Sequence, residues 1–127
     1  MRNTVTNSLK RIVKRTDYLR VREKGDTAVM PGLVLQASRS CSDAKNTGPR
    51  IGYTVSKKVG NAVQRNRVRR RLKAIASDIL PKEGSKSLDY VLIGRATTLT
   101  RTYDLLAQDF RSALKKIDQS DLPKRKQ

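Results

Sequence analysis

The chain has 127 residues, of which 29 are Lys or Arg and 11 are Asp or Glu, giving a formal net charge of +18. That length fits one domain with a modest core, and so strong a positive balance points to a polyanion, with nucleic acid favoured over an anionic membrane surface through counterion release. The absence of histidine excludes the usual zinc constellations, and a single cysteine excludes an internal disulfide.

The first fifteen residues are basic and weakly patterned, and read as an arm that orders only in part. MRNTVTNSLKRIV lacks the apolar core of a secretory signal, and no apolar run nears the roughly 18 residues of a spanning helix. A soluble, cytoplasmic protein with no membrane partner is expected. From Thr16 a short helix is predicted through DYLRVREK, with Thr16 as N-cap, Asp17 at the positive helix end and Gly25 as its close. Tyr18, Val21 and Arg22 share one face of it by their spacing.

Pro31 and Gly32 mark a turn, LVLQAS reads as a strand, and residues 38–49 form a polar loop that contains Cys41, to which no role is assigned. RIGYTVS alternates as a second strand, with Ile51, Tyr53 and Val55 on a core face and Gly52, Thr54 and Ser56 on a small, polar one. Asn61 caps a helix that runs to about Leu80 and is ended by Pro81. After the loop KEGSKS, DYVLIGRA reads as a strand buried on both sides. Thr102 opens a last helix with Tyr103, Leu106, Ala107, Phe110, Leu114 and Ile117 at helical spacing, and the tail from 118 to 127 should fray.

The helix from Asn61 carries the information about partners. Val68, Leu72, Ile75 and Ile79 form its packing stripe; Asn66, Arg70 and Lys73 cluster opposite, while the pairs Arg65/Arg69 and Arg67/Arg71 flank the stripe. A merely solvated face would alternate signs to collect ion pairs. Here like charges stand at 65/69, 67/71 and 69/73, each costing roughly 0.2–0.5 kcal/mol, and Arg65 and Arg67 sit near the positive end of the helix dipole. A phosphate backbone reverses each of these penalties, so the helix is read as a nucleic-acid surface.

The run RIGYTVSKKVGNAVQRNRVRRRLKAI, with TDYLRVREKG before it and DYVLIGR after it, resembles the bacterial ribonuclease P protein subunit family over most of the chain. The resemblance implies an α+β fold of the ribosomal protein S5 domain 2-like type: an α/β sandwich with a mixed four-stranded sheet, αβββαβα order and a left-handed βαβ crossover. The fourth strand is expected within residues 26–49. The resemblance further implies a catalytic RNA as partner, one protein per RNA, contacted by Lys57, Lys58, Asn61, Arg65, Asn66, Arg67, Arg69, Arg70 and Lys73. It also implies a cleft for the 5′ leader of precursor tRNA, lined by Tyr18, Arg22, Val34, Gln36, Thr54, Ser56 and Lys58. Arg22 and Gln36 stand where family members often carry rings, and Arg71 where a leucine is common. Asp17, Asp78, Asp89, Asp104 and Asp109 are scattered along the sequence and offer no metal site; Mg²⁺ is expected in the holoenzyme, held mainly by the RNA, with no catalytic residue in this chain. A stand-alone nuclease and a general RNA chaperone are the competing readings.

Overall fold

A computed structural model describes residues 9–39, 49–84 and 88–118. Its elements are β1 (Lys10–Arg11), α1 (Arg15–Lys24), β2 (Asp26–Val29), β3 (Leu33–Arg39), β4 (Arg50–Thr54), α2 (Ala62–Glu83), β5 (Leu88–Gly94) and α3 (Tyr103–Asp118). Cys41, most of the polar loop around it, part of the arm and nearly all of the tail lie outside the described residues.

The strands form one sheet in the order β1-β4-β5-β3-β2. β2, β3 and β5 pair antiparallel, whereas β4 lies parallel to β5 and β1 parallel to β4. The four expected strands are therefore β2 to β5, with β2 as the one anticipated between 26 and 49, and α2 is the crossover between parallel neighbours. A fifth, two-residue strand arises where only a loosely ordered arm was expected. It is held because Ile12 N–H donates to the Ile51 carbonyl at 2.9 Å and the Ile12 side chain is buried.

Strand alternation divides the side chains between two layers. Leu33, Leu35, Ala37, Ile51, Leu88, Tyr90 and Leu92 pack with α2 and α3 in the main core. On the other face Val91 joins Ile12 and Val21 in a smaller cluster, with Tyr18 and Ile93 against it. α1 thus covers one side of the sheet, and α2 with α3 the other.

Two helix boundaries differ from expectation. α1 begins at Arg15 with Lys14 in the N-cap position and no side-chain cap, so Thr16 lies inside the first turn. The chain runs from β1 almost directly into the helix, and the Asp17 and Tyr18 amides both reach back to the Lys14 carbonyl. α2 passes through Pro81 to Glu83. A proline there forgoes one backbone bond in the last turn, while buried Ile79 and Leu80 keep that turn on the core and Gly84 N–H closes it on the Leu80 carbonyl.

Three of the acids that looked scattered, Asp17, Asp89 and Asp109, serve as internal anchors, while Asp78 and Asp104 are exposed. Asp89 is fully buried on the α1 side of β5. Its Oδ2 accepts from Arg20 at 2.6 Å and from Arg50 at 2.7 Å, and its Oδ1 accepts from Arg50 Nε at 3.0 Å. Asp17 adds contacts to the same two guanidinium groups at 3.2 and 3.5 Å. The hydrogen bonds to Asp89 raise the Arg50 pKa above its ordinary value against the opposing cost of burial. One carboxylate thereby joins α1, β4 and β5. At the other end of the molecule Asp109 accepts from Arg101 at 2.6 Å and from the Gly32 amide at 3.0 Å, fastening the β2–β3 turn to α3.

Removing one member of a buried ion pair costs far more than the pair contributes, because the remaining charge keeps its desolvation penalty. Asp89→Asn is expected to lower unfolding free energy by about 3 kcal/mol, seen as a reduced urea midpoint; a shift under a third of that size would rule out Asp89 as the anchor of α1.

Candidate nucleic-acid interface

The basic helix starts from a rigid turn. Lys57–Val59 form a single 3-10 turn, and Gly60 follows with φ +155°, a conformation that L side chains rarely adopt. Asn61 then closes a capping box: Asn61 N–H donates to Gln64 Oε1 and Gln64 N–H to Asn61 Oδ1, both at 2.9 Å. Arg65 folds back to donate to the Gly60 carbonyl at 3.0 Å. Asn61 and Arg65, both expected at the RNA surface, are thus also what fixes the helix start.

Val68, Leu72, Ile75 and Ile79 are buried as their spacing required, joined by Ala76 and Leu80. Lys57, Lys58, Asn66, Arg67 and Arg70 are exposed, and Arg69 is half-buried. Among the described residues none of these cations pairs with a carboxylate. Lys73 departs from its expected place with Asn66 and Arg70 on the far side of the helix. It is half-buried and reaches down to the sheet edge, its ammonium 6.0 Å from the centre of the Tyr53 ring. Burial pushes the Tyr53 phenol up to about 12. Arg71 acquires a position: its guanidinium donates to the Arg101 carbonyl, tying α2 to the turn before α3.

On the opposite face of the sheet a cleft of about 490 Å³ lies under α1. Tyr18, Arg22, Gln36 and Thr54 meet there as the resemblance implied. Its other walls are Val13, Arg15, Leu19, Val91 and Ile93. Val91 and Ile93 follow from the alternation of β5, whereas Val13 and Arg15 had no readable signal because they precede any periodic segment.

Three expected members lie elsewhere. β4 ends at Thr54 and the chain turns away into the 3-10 segment, which leaves Ser56 and Lys58 exposed beyond the cleft. Val34 shares the cleft's face of the sheet and pairs with Ile93, but its half-buried side chain is not part of the lining.

The floor is set by a close approach. A Cβ on Gly52 would stand 2.7 Å from carbons of the Tyr18 ring, so the ring rests on bare backbone. Tyr18 O–H donates to the Ile12 carbonyl at 3.3 Å, which holds the ring across the cleft. One aromatic ring, an aliphatic wall, an amide and two guanidinium groups, with no acid in the lining, form a site suited to an unpaired nucleotide: a surface for stacking and charges for its phosphate.

Comparison with known proteins identifies the family and the fold. The sequence profile of the Ribonuclease P family matches residues 7–118. The ribonuclease P protein component of Paramagnetospirillum magneticum is 49% identical over 110 residues, covering 86% of this chain and 83% of the relative. That of Gluconacetobacter diazotrophicus is 47% identical over 107 residues, covering 84% and 89%. A solved RNase P protein of Staphylococcus aureus superimposes with a TM-score of 0.68 at 25% identity, covering 86% and 95%, and that of Thermotoga maritima with a TM-score of 0.70 at 22% identity, covering 85% and 97%, the latter a likeness of fold. The chain belongs to the ribonuclease P protein family.

Proposed function

We propose that this protein subunit of ribonuclease P binds the catalytic RNA through the exposed face of α2 and the turn before it, and the 5′ leader of precursor tRNA in the cleft under α1, one protein to each RNA. The observation that carries the reading is the row of cations at Lys57, Lys58, Arg67, Arg69 and Arg70, left without carboxylate partners among the described residues on a helix whose start is fixed by a capping box. Phosphates of a folded RNA supply the missing counter-charge. The cleft lies across the sheet from that helix, so one molecule can hold scaffold and substrate at once.

Hydrolysis of the phosphodiester requires divalent ions that activate water and stabilise the leaving oxygen. The buried carboxylates of this chain are unsuited to holding such ions, because Asp89 and Asp109 are each bonded to arginines, with Asp17 on the same guanidinium groups as Asp89. Among the described residues no three metal-ligating side chains converge. The reading therefore assigns Mg²⁺ and the bond-breaking step to the RNA, and to the protein the binding of both strands and the screening of their mutual repulsion.

Two measurements test the two surfaces separately. Arg70→Ala should weaken binding to the catalytic RNA and flatten the plot of log K against log salt by about 0.7–0.9, the contribution of one phosphate contact; an unchanged affinity and slope would remove α2 from the interface. Gly52→Ala forces the Tyr18 ring off the cleft floor, so it should reduce the preference for precursor over mature tRNA severalfold while the salt slope of catalytic-RNA binding stays as in the parent chain. Retained preference in that variant would exclude the cleft as the leader site.

A further inference from the structure

A smaller concavity of about 210 Å³ opens at the β1 edge of the sheet, on the α2 side, lined by Leu9, Arg11, Ile51, Tyr53, Lys73 and Ser77. Its charge is one-sided. Arg11 comes from β1 and Lys73 from α2, no carboxylate lines the space, and among the described residues neither cation takes part in an ion pair. The Tyr53 phenol in the same lining is protonated at neutral pH, as any ordinary tyrosine is, and burial only pushes it further up, to about 12, so it is available as a hydrogen-bond donor. Two cations and a neutral hydroxyl around a small concave space supply charge-assisted donors of the kind that hold a phosphate group.

We propose that this concavity takes a phosphodiester of the catalytic RNA, held by Arg11, Tyr53 and Lys73, and that filling it secures the wall of the leader cleft on the opposite side of the sheet. The inference rests on the reading of the chain as a ribonuclease P subunit. The source is the catalytic RNA and not the leader because the space opens beside α2 and its arginine face, whereas the cleft lies under α1.

Three consecutive residues join the two sites. Arg11 lines the concavity; Ile12 is buried, donates to the Ile51 carbonyl and accepts from Tyr18 O–H; Val13 lines the cleft. On its own this segment is lightly held, since β1 pairs with β4 at only two positions. A phosphate bridging Arg11 to Lys73 adds a link between β1 and α2, and whatever holds Arg11 also holds the Ile12 carbonyl that orients Tyr18. The two RNA sites are then coupled through a strand too short to be stable without help.

The test uses the full chain and the ribonuclease P RNA, with binding measured over a range of KCl concentrations for the parent chain, Arg11→Gln, Lys73→Gln and Arg70→Ala as reference. Precursor-over-mature preference is then measured for each holoenzyme at RNA concentrations that saturate assembly. Arg11→Gln and Lys73→Gln should each weaken RNA binding severalfold, flatten the salt slope by about 0.7–0.9, and reduce precursor preference even when fully assembled. Lys73 lies on α2 and away from the β1 pairing, so its effect on precursor preference separates coupling from simple loss of β1. Parent-like binding by both glutamine variants beside a weakened Arg70→Ala overturns the phosphate site and leaves the subunit reading standing. Parent-like binding by all three overturns the underlying reading as well. A loss confined to Arg11→Gln overturns the shared site, and an unchanged precursor preference in Lys73→Gln overturns the coupling.

Discussion

The molecule depends on an apolar stripe that holds like charges together. Burying Val68, Leu72, Ile75 and Ile79 against the sheet stabilises by roughly 1.5–3 kcal/mol per side chain, whereas each like-charge neighbour along the helix costs only about 0.2–0.5 kcal/mol. Packing wins by a wide margin. The protein can therefore carry an unneutralised row of arginines at a small cost, provided that the helix start is equally firm. That firmness comes from Gly60, whose backbone angle a side chain would disfavour, and from the reciprocal bonds of Asn61 and Gln64.

A second consequence is the segregation of arginines by partner. Arg20 and Arg50 are consumed by Asp89 and Asp17, and Arg101 by Asp109; the pairs on Asp89 join elements distant in sequence. Exposed Arg67 and Arg70 have no such partner among the described residues. With so few acids in the chain, placing three of them at internal joints leaves the surface field of α2 nearly uncompensated. The same composition thus builds a stable scaffold and a strong external potential, because the two kinds of arginine are kept on different elements.

Much of this was legible in the sequence wherever periodicity acts over a long enough window. The stripe of α2, the spacing of α3 from Leu106 to Ile117 and the two-sided burial of β5 all follow from side-chain pattern alone, whereas Tyr103 at the start of α3 is exposed; the alternation of β4 put Ile51 on the core face and Thr54 on the other. What escaped was set by contacts distant in sequence. β1 has two residues and no period to detect; it exists because Ile12 finds Ile51. Thr16 is a good cap by type, yet the start of α1 is decided by the chain leaving β1. Pro81 is a helix breaker by type, yet burial of the preceding turn outweighs one missing bond. Asp89 reads as an ordinary polar residue at a strand start and becomes an anchor only when folding brings Arg20 and Arg50 to it. Extending strand parity past Thr54 to Ser56, and carrying the family's lining on to Lys58, failed for a related reason: the pattern holds only while the strand lasts.

The physics of the cleft follows from the side chains that line it. With Arg22 and Gln36 among its walls, Tyr18 is the one aromatic ring in the lining, while Arg15 and Arg22 bring two guanidinium groups to it. Stacking on a ring is nearly indifferent to salt, whereas a guanidinium can stack its plane but binds phosphate through charge that salt screens. Under the proposed function, leader binding in this protein thus rests more on electrostatics than it would with rings at both positions. The bare backbone of Gly52 beneath Tyr18 then matters more, since it holds the remaining ring at the floor where a base can reach it while the arginines at the rim engage the strand. Under the same reading, positive charge on α2 and at the cleft rim acts on both sides of the sheet and offsets the mutual repulsion of the two RNA strands.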